Sequence, residues 1–123
     1  MTSRDLQTMG DQQLVERFRQ HALDQESTLW DSNTAKYNRL FDRMQAIEDE
    51  LRSRGPEARK ALLVLLDDPN PWVRYKAAHE CLAIARERAM VVLRAIAASH
   101  LMPVAGHAGM TLENLESGQF KPT

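Results

Sequence analysis

Much is scarce in this 123-residue chain, and each scarcity closes a class of explanation. Cysteine occurs once, at Cys81, so no intramolecular disulfide forms and a reducing, cytoplasmic setting is expected. No apolar run approaches the roughly 20 residues that span a bilayer, so no membrane partner is expected. The opening MTSRDLQTMG has no apolar segment and does not read as a secretory signal. Charge of one sign is missing too: 16 basic residues face 17 acidic ones, for a net charge of -1. Chains that live on nucleic acid usually carry a basic surplus, so that partner class is disfavoured. Polar–apolar alternation at period two never persists, which argues against strands. A glycine-rich phosphate loop, a nucleophile elbow and a metal box are all lacking.

What is present is a globular mixture, 43% hydrophobic and 27% charged, of a length that suits one domain over residues 1–123. Helical periodicity runs almost throughout. Leu14, Val15, Phe18, Ala22 and Leu29 share one side of a first helix, with Thr8 and Asp11 as a cap. Trp30 to Thr34 reads as a break. A second helix over 34–53 carries the stripe Tyr37, Leu40, Phe41, Met44, Ile47 and Leu51. Gly55 stops it and Pro56 opens a third helix reaching Leu66. Asn70 caps a fourth, with Pro71 in its first position. A fifth spans about 87–99, and Pro103 separates it from a sixth over 105–115. The tail, 117–123, has no periodicity, although Phe120 offers a means of folding back.

Residues 61–84, ALLVLLDDPNPWVRYKAAHECLAI, resemble a HEAT-type repeat: an apolar helix, an Asp/Pro/Asn turn, then Val73-Arg74, Ala77-Ala78 and Leu82. Small alanines let neighbouring helices approach closely. Arg74 is expected to pair with Asp67 or Asp68. Laid on itself at an offset of 30 residues, the chain matches Leu66 with Ile96, Ala78 with Ala108 and Leu82 with Leu112. Repeat-like pairs near 56–85 and 87–115 follow. The fold class this predicts is all-α, a short right-handed solenoid of about six helices in stacked antiparallel pairs, HEAT- or armadillo-like. Over most of its length, through FDRMQAIEDELRSRGPEARKALLVLLDDPNPWVRYKAA and LMPVAGHAGMTLENLESGQFKPT, the chain is also similar to a bacterial family of domains of unknown function, numbered two thousand and nineteen. That resemblance implies a HEAT-like fold in bacteria and no particular chemistry.

Candidate sites are few. His21, His79, His100 and His107 include no pair four apart, so no metal is expected. Cys81 falls on the apolar arc of its helix as a core thiol. The runs Asp67-Asp68 and Glu48–Glu50 read as a turn and a solvated face. Trp72, Lys76 and His79 follow i, i+4, i+7 spacing opposite the apolar arc, which makes them a candidate partner-binding face with an exposed tryptophan anchor. The bland alternative has Trp72 folded down onto a neighbouring helix or the tail. The expected function is a protein–protein interaction module without catalysis and without cofactor, an immunity or antitoxin-type partner being one form and a homo-oligomer another. The rival is a nucleic-acid-binding repeat, using Arg86, Arg88 and Arg94 together with Arg52, Arg54, Arg59 and Lys60.

Overall fold

The computed structural model describes residues 3–123. Among the described residues it is all-α, with seven α-helices, one 3₁₀ helix and no strand. In chain order these are α1 (Ser3–Gln7), α2 (Asp11–Asp31), α3 (Thr34–Ser53), α4 (Pro56–Arg59), a 3₁₀ helix (Lys60–Asp67), α5 (Pro71–Cys81), α6 (Arg86–Ala97) and α7 (Val104–Ser117). Two differences from the expected order stand out. The short α1 has no counterpart in the sequence reading, and the expected third helix is one turn of α-helix followed by 3₁₀. Among the described residues no helix is long and apolar enough to cross a membrane. The chain divides into two compact units, Met1–Leu62 and Leu63–Thr123.

In the first unit α2 packs along α3. Leu14, Val15, Phe18 and Ala22 of α2 and Leu40, Met44, Ile47 and Leu51 of α3 are buried, while Phe41 is exposed. The cap of α2 is Gly10, whose amide donates to Gln13 Oε1 at 2.9 Å; the Thr8 hydroxyl instead donates back to the Asp5 carbonyl at 2.7 Å. Ser32 adopts the left-handed conformation that ends α2, and Asn33 Oδ1 accepts from the Lys36 amide at 3.1 Å to start α3. Gly55, at φ 111°, allows a reversal that an L side chain resists.

Charge holds the ends of this unit together. Arg54 donates from Nε to Glu50 (2.8 Å), from Nη1 to Asp11 (2.9 Å) and from Nη2 to the Leu6 carbonyl (2.9 Å). These hydrogen bonds, that to Glu50 foremost, raise its pKa further above the ordinary guanidinium value. Glu48, expected on a solvated face, is buried. Arg59 of α4 reaches its Oε1 at 3.0 Å and Gln45 donates to its Oε2 at 2.9 Å. The counter-charge lies across a turn, where helical spacing within α3 cannot reveal it. His21 is buried on α2, and neither ring nitrogen has a hydrogen-bond partner.

In the second unit α5 packs on α6, α6 on α7, and α5 on α7. Asn70 caps α5 as expected, accepting from the Val73 amide at 3.0 Å, and Asp68 Oδ2 accepts from the Asn70 amide at 2.9 Å. Arg74 does not meet an Asp carboxylate. Its Nη1 donates to the carbonyls of Asp68 (2.8 Å) and Pro69 (3.2 Å), clasping the turn through its backbone. Trp72, Val73, Tyr75, Lys76, Ala77, Ala78 and Cys81 are all buried, so α5 is enclosed on nearly every side. The tail does fold back, the Phe120 amide donating to the Asn114 carbonyl at 3.0 Å.

The Glu48–Arg59 pair is enclosed enough for the loss of one partner to leave a buried charge. Glu48→Ala is expected to cost about 3–5 kcal/mol in urea unfolding, whereas Glu48→Leu with Arg59→Met recovers most of that loss. Equal losses for the single and the double variant would show that the site needs its charges for packing as well.

Candidate functional site

The expected binding face, Trp72, Lys76 and His79, is brought together by one helix but not presented to solvent. Trp72 is 0% exposed and Lys76 is 6% exposed, so the exposed-anchor premise is corrected. The reason is a third element. The Trp72 ring meets His107 of α7 edge-on, centroids 5.0 Å apart at 88°, and lies 5.3 Å from Tyr75. A helical wheel drawn on α5 alone sorts residues by polarity and has no knowledge of α7. His79 is half-exposed, its ring stacked on Phe120 at 4.6 Å and 11°.

Around these residues a polar and aromatic nucleus forms inside the unit. Thr111 gives its hydroxyl proton to the His107 carbonyl at 3.1 Å, so at the 3.2 Å contact with Tyr75 it is the phenol that donates. Burial, the largest cause, raises the Tyr75 pKa above its ordinary value. Burial lowers that of Lys76, with the Glu80 carboxylate acting the other way. The Lys76 ammonium lies 6.0 Å from the Tyr75 ring centroid, the outer reach of a cation–π contact. His107 is lowered by burial first and by the Lys76 charge second. An amine in this environment is chemically softened, yet it is walled in by packing. Cys81 is equally buried.

An accessible concavity lies elsewhere in the same unit, between α6 and α7. A groove of about 440 Å³ is lined by Arg86, Met90 and Arg94 from α6 and by Leu112, Leu115 and Glu116 from α7. The α6 residues follow i, i+4, i+8 spacing and so share one helical face. Sequence reasoning noticed Arg86 and Arg94 as charges only. Met90 between them at helical spacing was the available signal, but the opposite wall comes from a helix about 20 residues further on and needs the fold to be seen. Arg88 is turned away, its guanidinium 3.9 Å from Asp67.

Two outcomes follow. Trp72→Ala is expected to lose about 3–5 kcal/mol of stability, because it empties a sealed aromatic site, whereas Lys76→Met stays within about 1 kcal/mol of wild type because it removes a desolvated charge. Thermal unfolding of both variants checks this, and a Trp72→Ala protein that melts like wild type would contradict the burial. His21 is lowered by burial first, then by Arg43 and Arg17, and His107 is lowered as well. Their contribution to stability is therefore complete above about pH 6.5 and is lost as pH falls through their folded-state values. Urea midpoints should decline between about pH 7.5 and about pH 5, and less steeply in a His21→Gln, His107→Gln variant.

Comparison with known proteins places this arrangement. The structure is similar to the crystal structure of the protein RPA1889 from Rhodopseudomonas palustris CGA009, with a TM-score of 0.90 and 42% sequence identity over 96% of this chain and 98% of that one. No curated protein matches. The sequence model of the family described as "Domain of unknown function (DUF2019)" matches residues 12–116, from the first turn of α2 to the end of α7, and the chain belongs to that family.

Proposed function

We propose that the chain is a HEAT-like helical repeat, a short solenoid forming one cytoplasmic domain in a bacterium, and that it serves as a protein-interaction module without catalysis. The repeat reading draws support from the second unit. There a short Asp/Pro/Asn turn is clasped by Arg74, Ala77 and Ala78 are fully buried, and the offset partners Leu66 with Ile96 and Ala78 with Ala108 are all interior. The observation that carries the interaction reading is the α6–α7 groove, with an apolar floor between two guanidinium groups that make no ion pair among the described residues. The two most nucleophilic side chains, Cys81 and Lys76, are occupied in packing, which supports binding over chemistry.

The nucleic-acid alternative loses ground residue by residue. Arg54 is held by Glu50 and Asp11, Arg59 by Glu48, Lys60 by Glu57 at 3.3 Å and Arg88 by Asp67. Each such pairing leaves one cation fewer to follow a phosphate backbone.

Affinity purification from the native cell extract, with wild-type and Met90→Asp baits, tests the proposal. A protein recovered in fixed stoichiometry with wild type and absent with Met90→Asp, at an unchanged melting temperature, is the expected result. Identical recoveries from both baits, or duplex DNA binding that weakens steeply between about 50 and about 200 mM salt, would overturn it.

A further inference from the structure

Resting on that reading, we infer that the α6–α7 groove takes an acidic amphipathic helix of a different protein, with carboxylates about two turns apart along the edge that lies on α6. Arg86 and Arg94 are eight residues apart on one helix, hence about 12 Å along its axis. Met90 stands midway between them, and Leu112 and Leu115 face it from α7. A helix laid along this floor presents apolar side chains downward at i, i+3, i+4 and i+7, and its acidic residues seven or eight apart fall opposite the two guanidinium groups.

The charges themselves point outward. Arg86 occupies the first position of α6, where the helix dipole disfavours a cation, and among the described residues neither it nor Arg94 forms an ion pair. Folding gains nothing electrostatic from Arg86 at that position. Both side chains are exposed, so the arrangement is complementary to negative charge brought from outside. Glu116 sets the polarity across the groove: the edge of the incoming helix that lies on α7 carries a neutral or basic residue.

Other occupants fit worse. Two copies meeting groove to groove about a two-fold axis perpendicular to α6 would set Arg86 of each against Arg94 of the other. A nucleic-acid strand would meet a carboxylate on one rim and an aliphatic floor with no ring to stack on.

A photo-cross-linking residue placed at Met90 of the full chain, in the cells that produce it, tests the inference, with a second at Trp30, which is 74% exposed in the other unit, as the comparison. The expected result is an adduct from position 90 with a helical segment of another protein that bears two acidic residues seven or eight apart. Its yield should drop at least about tenfold in Arg86→Glu, Arg94→Glu protein, whose melting temperature stays within about 2 °C of wild type because both side chains are exposed. An adduct indifferent to the charge reversal overturns the inference, as does one with a segment lacking such a pair, with nucleic acid or with a second copy of this chain. Protein adducts at position 30 but none at 90 overturn the groove and leave the interaction reading standing. Their absence at both positions overturns the two together.

Discussion

Everything in the second unit is arranged around the enclosure of α5. A helix buried on nearly every side leaves its polar side chains little solvent face to retreat to, so Tyr75 and Lys76 are accommodated internally. Small side chains make the close approach feasible, Ala77 and Ala78 being fully buried and Ala89 and Ala108 likewise. The large ones fill what is left. Trp72 and Tyr75 complete their packing against His107 on α7, and the tail closes over the end of the helix through the stack of Phe120 on His79. With α5 committed in this way, the surface available for recognition shifts to the elements packed around it, which is where the α6–α7 groove lies.

Polar groups in such an interior survive by local exchange. The Tyr75 phenol donates a hydrogen bond to Thr111 Oγ1, which donates in turn to the His107 carbonyl, so both hydroxyls are satisfied without water. Lys76 lowers its cost by proximity to Glu80 and to the Tyr75 ring. The first unit handles the same problem with ion pairs drawn from separate helices. An exception is His21, whose ring nitrogens find no hydrogen-bond partner and whose neutral form is therefore the one the fold tolerates.

The helices were legible because they are punctuated. Asn33 and Asn70 cap where side-chain oxygens at those positions should cap, and Gly55 and Gly118 take the positive φ that only punctuation requires. α1 was not legible, since five residues are too few for a periodic signal and its buried Leu6 looks incidental in isolation. The switch to 3₁₀ at Lys60 has no sequence signal that accounts for it. The burial of the candidate site was illegible for a different reason. The spacing of Trp72, Lys76 and His79 was read correctly, but their burial depends on α7 and the tail, which lie over 25 positions away in sequence. Glu48 misled in the same manner, because its partner Arg59 belongs to another helix. Local pattern describes an element; it does not say which of its faces a distant element will cover.

The Arg54 clasp has a bearing on the order in which the first unit assembles. Its acceptors lie 4, 43 and 48 residues away, on α3 itself, at the start of α2 and at the end of α1. The nearest is available as soon as α3 winds, and it pre-orients the guanidinium before any long-range contact exists. Asp11 arrives only when α2 has closed against α3, and the Leu6 carbonyl only after that. α1 is thus fastened through a side chain that can meet its carbonyl only where α2 and α3 are already closed on each other. Release of so short a helix is a local opening, distinct from separation of the hairpin it rests on.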